Sequence, residues 1–203
     1  MYKHKSGIRF RKVDESHLEE LLKIKEETWW GTHSYPLINP SDQKRWFQNL
    51  NQNNFVMVGL KKEDFVGFGV YSSINWMART CDISGTLSTE TKTSGRDLFA
   101  CGTDFAFEVL NMHRLNAEVL ECNLPAFKIE TEFLEFKVEG RKRQAVYKSG
   151  KYYDSLVLGL LREDWENSKR VKELKEKTGT CNYSFDFQKF DRFQHQINQK
   201  CQF

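Results

Sequence analysis

The stretch from Phe55 to Ile74 constrains the fold most. Two apolar runs, Phe55 to Leu60 and Phe65 to Ile74, flank the polar tetrad Lys61-Lys62-Glu63-Asp64. Each run has the length of a strand, and a short charged break between two such runs reads as a turn, so the pair predicts a β-hairpin. A third strand-like run follows at Thr80 to Ser88. After a break at Thr91 to Ser94, helical spacing of Leu98, Phe99, Phe105, Val109 and Leu110 predicts a helix from about Gly95 to Asn111. Leu115 to Leu120 then reads as another strand.

The flanks extend the pattern. Ile8 to Val13 alternates apolar and basic residues, as a half-buried strand does, and Asp14 is placed to cap a helix carrying Leu18, Leu21, Leu22 and Ile24. Residues 28–39 break that period and read as a loop, and Asn39-Pro40-Ser41-Asp42 opens a second helix. Pro125 to Phe133 predicts a helix, and Phe136 to Val146 with Tyr152 to Leu161 a final hairpin around Lys148-Ser149-Gly150. The order β-α-α-β-β-β-α-β-α-β-β is an α+β pattern: a mixed central sheet flanked by helices. Residues 1–166 are expected to form one domain. Residues 167–203 form a C-terminal appendage, in which a charged helix from Glu163 to Lys177 leads into a segment bearing Phe185, Phe187, Phe190 and Phe193.

Composition removes several classes of function. At 39% hydrophobic and 14% aromatic residues the 203-residue chain can bury a core. A net charge of +3 gives no electrostatic case for nucleic acid or a membrane surface. No apolar run approaches the length of a membrane span, and no leader precedes residue 8. The five cysteines form no CxxC pair, which points to a reduced, cytoplasmic setting and no metal site.

The piece that carries chemistry is Lys92-Thr93-Ser94-Gly95-Arg96-Asp97, between the third strand and its helix. A glycine there lets a ligand approach the backbone closely. The free N–H groups and dipole of a helix start favour a phosphate, and Lys92 and Arg96 add charge. Asp97 works against an anion unless it turns away or caps the helix.

The residues beyond this loop carry a resemblance to a known family. Phe105-Ala106-Phe107-Glu108-Val109-Leu110-Asn111-Met112-His113-Arg114-Leu115, then Asn123 and Ala126, then Phe136-Lys137-Val138-Glu139-Gly140, then Gly150-Lys151-Tyr152-Tyr153-Asp154 and Leu160 to Trp165 stand in the order of markers of GNAT acetyltransferases. The series is similar to the branch containing the RimJ/RimL protein N-terminal acetyltransferases and the SpeG polyamine acetyltransferases. It covers roughly residues 7–166 and is specific in the second half.

The resemblance implies acetyl-CoA as donor and a primary amine as acceptor, on a protein N-terminus, a polyamine or an amino sugar. It places the pyrophosphate on Lys92 to Asp97 and the pantetheine arm along Ile83 to Ser88. Leu87 would offer backbone groups to the donor, and a slot would open between this strand and Ala117 to Leu120. Asp82 falls on a family glutamate and is the candidate base or amine-binding acid; its other reading is a carboxylate paired with Arg79 or another cation. Asn123 could hold pantetheine or a water, or simply cap its helix. Many relatives place a tyrosine about seven residues after that asparagine. Here the place falls to Glu130, or to Thr131 if one residue is inserted before Phe136, so an acid role would pass to Tyr153 or Tyr147 or be dispensed with. Trp29, Trp30, His33 and Tyr35 occupy the stretch that covers the acceptor, as an aromatic wall or as packing under a loop. The alternative function is a CoA-binding or protein-interaction module on the same fold with transfer lost, and another acyl donor is a third. A homodimer is an open expectation.

Overall fold

A computed structural model describes residues 1–34 and 39–178. Tyr35 and the phenylalanines of residues 185–193 lie outside the described residues.

Among the described residues eight strands form a single sheet in the order β1-β2-β3-β4-β5-β6-β8-β7. They are β1 (Tyr2–Lys3), β2 (Arg9–Lys12), β3 (Phe55–Lys61), β4 (Asp64–Asn75), β5 (Thr80–Leu87), β6 (Arg114–Leu120), β7 (Lys137–Lys148) and β8 (Lys151–Leu161). Neighbours are antiparallel except β5 and β6, which run parallel because α3 (Gly95–Glu108) crosses between them. The expected hairpin is β3–β4, with Lys61 paired to Asp64. β1 was not legible: it is only Tyr2 and Lys3, held on β2 by the Tyr2–Phe10 pair.

Alternation along the strands divides the core between two faces. Met57 and Tyr71 face α3, where they meet its buried Leu98, Cys101, Phe105 and Ala106. Val56, Val58 and Phe68 face the other way, against Leu21 and Ile24 of α1 (Leu18–Thr28), with Trp46 and Phe47 of α2 (Pro40–Gln48) packed beside them. Asp14 does not cap α1 itself. It caps a 3₁₀ turn at Glu15–His17 that leads into α1, accepting from the Ser16 N–H while its own N–H donates to His17 Nδ1.

Two expected helices are broken. The one over Pro125–Phe133 is a short α4 (Leu124–Lys128) that widens into a π turn at Ile129–Phe133. The one over Glu163–Lys177 is α5 (Arg162–Asn167) and α6 (Lys169–Thr178), parted at Ser168. Ser168 leaves helical geometry with ψ 146°. Its buried hydroxyl donates to Trp165 O at 2.7 Å and accepts from Val171 N at 3.3 Å, so one side chain serves both helix ends.

That break turns Arg170 onto α3. Its guanidinium makes a fork of two hydrogen bonds to Asp104, 2.9 and 2.6 Å, while Trp165 Nε1 donates to the same carboxylate at 2.8 Å and His4 Nε2 lies 3.0 Å away. Asp104 is fully buried. Burial opposes its charge, but His4 and Arg170 hold its pKa well below the ordinary value. Thus Asp104 ties the β1–β2 turn, α3, α5 and α6 together.

Candidate active site

Strands β5 and β6 pair only from Thr80–Arg114 to Asp82–Asn116. Beyond Asp82 they part, so the edge of Ile83–Leu87 that faces β6 has no strand beside it. The sheet therefore forks at its centre, with the start of α3 behind one prong. A cleft of about 700 Å³ occupies the fork and continues across the α1–α2 side of the sheet. Ile83 to Leu87, Gly95, Val119, Asn123, Ala126, Ile129 and Glu130 line its fork end, and Trp29, Trp30, His33, Gln43 and Trp46 line the rest.

The six residues of the loop and helix start point in different directions. Ser94 caps α3, its Oγ accepting from Arg96 N at 3.2 Å. Gly95 is needed for contact: a Cβ there would stand 3.2 Å from Ile129 Cδ1 and 3.7 Å from Leu87 Cδ2. Asp97 turns toward β3, 3.9 Å from Lys61 Nζ, and does not line the cleft. Arg96 lies with its guanidinium 5.4 Å from the centre of the Phe133 ring. Lys92 and Thr93 line a separate surface groove with Lys61, Lys62 and Glu90. Of the six loop residues, only Gly95 reaches the cleft itself.

Asn123 uses both ends of its amide. Oδ1 accepts from Ala126 N at 3.2 Å, capping α4, and Nδ2 donates to Gly31 O at 2.9 Å. The capping expectation is met, and the amide also anchors the 3₁₀ turn Trp29–Gly31. A Cβ at Gly31 would come within 2.7 Å of Asn123 Nδ2, so a side chain there would push that amide out of place. From the other side the buried Lys148 ammonium donates to the carbonyls of Trp29, Thr32 and Ser34. The acceptor-side segment is thus clamped from α4 and from the β7–β8 hairpin.

Trp29, Trp30 and His33 come together in the cleft. His33 Nε2 lies 2.8 Å from Ser155 Oγ, which is 3.2 Å from Glu118 Oε2. With the serine hydroxyl donating to the carboxylate, Nε2 of His33 carries the hydrogen and Nδ1 keeps its lone pair. Burial lowers the His33 pKa, so the ring is neutral near pH 7. Burial also works against the Glu118 charge, but Lys142 and Ser155 bond it and keep its pKa below the ordinary carboxylate value. Glu118 and Ser155 were missed in the sequence. The only signal for Glu118 was an acid within the strand-like run Leu115 to Leu120.

Asp82 sits at the root of the fork and does not line the cleft. It accepts from Asn116 Nδ2 at 3.0 Å, and Arg79 is spent on Asn111 instead of Asp82. Asn116 and Glu118 are two residues apart on β6, so Asp82 lies on the sheet face that carries Glu118. Tyr153 is a ladder residue of β8 opposite Val146, away from the cleft; Tyr147 packs on Tyr152, ring centres 5.0 Å apart. Between Glu130 and Thr131, the one that reaches the cleft is Glu130. It is buried on the cleft wall, while Thr131 Oγ1 donates to Phe127 O at 2.7 Å.

Among the described residues no helix is long and apolar enough to cross a membrane, and no cluster of His, Cys, Asp and Glu is arranged to hold a metal. No curated protein matches the chain in sequence. Among solved structures it is similar to spermidine N-acetyltransferase from Vibrio cholerae in complex with CoA and spermine, at TM-score 0.74 and 18% identity over 80% of this chain and all of that one (100%). A dodecameric structure of the Vibrio cholerae enzyme in an intermediate state gives TM-score 0.70 and 19% identity over 80% of this chain and 98% of that one. A chimera of that enzyme with hSSAT gives TM-score 0.73 and 18% identity, with 80% and 99% covered. A family model, the acetyltransferase (GNAT) domain, matches residues 10–157. With the forked sheet, the glycine at the start of α3 and that match over most of its length, the chain belongs to the GNAT acetyltransferase family.

Proposed function

We propose that the chain transfers the acetyl group of acetyl-CoA to a primary amine held in the forked cleft. The observation that carries this reading is the fork itself. The unpaired backbone edge of Ile83–Leu87 can take the amides of an extended pantetheine arm as a missing strand would. The capped start of α3 closes the fork and turns a helix dipole favourable to the pyrophosphate toward it. Gly95 leaves the space, and Asp97 is turned to Lys61. The residues present therefore fit the donor, which supplies the activated thioester.

On the acceptor side the Trp29–Ser34 segment covers the amine. His33, backed by Ser155 and Glu118, takes the ammonium proton at Nδ1, directly or through a water. Asp82, on the same sheet face, is the second candidate for that role. The unpaired backbone N–H groups of β5 would stabilise the oxyanion as the amine attacks. Trp29 and Trp30 with the ionised Glu118 favour a cationic acceptor, and a polyamine heads the panel. The transferase unit is assigned to residues 1–166, with 167–203 as an extension whose first turn is anchored on α3 through Arg170.

Incubating the purified chain with acetyl-CoA and spermidine, a peptide with a free N-terminus, or glucosamine, while following free thiol and product mass, tests the reading. Thiol release matched by a mass gain on one amine supports transfer. Tight donor binding with no product from any amine favours a module that has lost transfer.

A further inference from the structure

Glu130 differs from the other acids of the cleft. Asp42 faces Arg45, and Glu118 is held by Lys142 and Ser155. Glu130 is 8% exposed, and its Oε2 is buried with no hydrogen-bond partner. A buried carboxyl oxygen without a partner is rare and costs stability unless something else meets it. Glu130 lies in a π turn, a departure from helical geometry that recurs at functional sites, and it lines the fork beside Ile129, the residue that touches the start of α3.

Burial raises the Glu130 carboxyl to about 8, so near neutral pH it carries an O–H and can donate. Lys128 aside, the charged groups around it are otherwise engaged. Arg96 of α3 lies over the Phe133 ring, Arg170 of α6 is committed to Asp104, and across the cleft His33 and Glu118 are joined through Ser155. Lys25 of α1 donates to Gln43 at 2.9 Å, and Lys128 ends α4 just before the turn.

We propose that Glu130 is the general acid of the transfer, giving its carboxyl proton to the departing sulfur. This rests on the acetyl-transfer reading. The amine nitrogen forms its bond to the thioester carbon, and the C–S bond breaks with its electron pair going to sulfur. Sulfur takes the Glu130 proton and leaves as the thiol. The nitrogen loses two protons, one as the ammonium is deprotonated to His33 or solvent and a second as the amide forms; one of them replaces the Glu130 proton and the other is released to solvent, so the cycle balances. The orphaned oxygen then has its use: the partner it lacks is brought by the donor.

Glu130→Gln keeps size and neutrality and removes the transferable proton. We expect kcat to fall about 100-fold or more, with KM for acetyl-CoA within about twofold. The native rate should decline as pH rises through about 8, and the variant should lack that limb. A second readout needs no turnover. The folded carboxyl lies above its ordinary 4.5, so the native chain has this stability below 4.5 and loses it as pH rises to about 8. The melting temperature of Glu130→Gln should therefore gain on the native one across that interval. A native chain that turns over while the variant keeps its rate and its alkaline limb overturns the proposal alone. A melting difference flat with pH overturns it as well, because Glu130 would then be ionised. A native chain with no turnover overturns the acetyl-transfer reading and the proposal with it.

Discussion

Asp104 and Glu130 are both buried carboxyls, and the protein treats them in opposite ways. Asp104 meets two guanidinium N–H groups, an indole N–H and a histidine, and stays ionised far below its ordinary pKa. Glu130 meets no partner at Oε2 and is pushed up to about 8. A buried acid whose bonds are all made by its own chain fastens elements together. A buried acid left incomplete in a cleft is held ready for something that arrives. The α5–α6 junction and the cleft divide the same way, one serving stability and the other chemistry, and substitutions should separate along that line.

The largest separation is expected at Gly95. Gly95→Trp should fill the space against Ile129 and Leu87 and remove donor binding, about 100-fold or more, with the circular dichroism spectrum kept. Titration of acetyl-CoA checks it, and unchanged affinity would place the donor elsewhere. Next comes the junction. Asp104→Asn leaves Arg170 and His4 without their anion, and such a loss costs about 3–5 kcal/mol, read by urea unfolding near neutral pH. Because the folded pKa of Asp104 is depressed, this stabilisation is present above 3.8 and fades as pH falls below it. The activity of the folded variant should match the native protein; a collapse of kcat at intact fold would break the division.

Smaller effects sharpen the proton path. His33→Ala should lower kcat about 10- to 100-fold while donor affinity holds, and Asp82→Asn should lower it less. The reverse ranking would move the base to Asp82. The smallest expected effect is at Ser168. Ser168→Ala removes a cap and should cost about 1 kcal/mol, seen in melting with no change in activity.

Much of the fold was legible because the strands are long and their ends carry turn residues. The β3–β4 hairpin, β5, α3 and β6 stood out from apolar runs and caps alone. What escaped depended on contacts made over long sequence distances. The helix break at Ser168 exists because Arg170 must reach Asp104, and the two-residue β1 has no periodicity to read. The site divides similarly. Gly95, Leu87, Trp29, Trp30, His33 and Asn123 were found on local chemistry or family markers, and all line the cleft. Glu118 and Ser155 were not, because two strands must pair before their side chains meet. Tyr153 was drawn in by its chemistry, yet its strand carries it away. Glu130 and Thr131 were left open because only the turn's geometry shows which side chain reaches the cleft, and that one is Glu130.

Isothermal titration of acetyl-CoA into the purified 203-residue chain and into Gly95→Trp tests the forked donor site most directly. Saturable binding in the micromolar range usual for such substrates, absent from the variant at intact fold, is the predicted result. No heat of binding to the native chain, or equal binding by both, would contradict it.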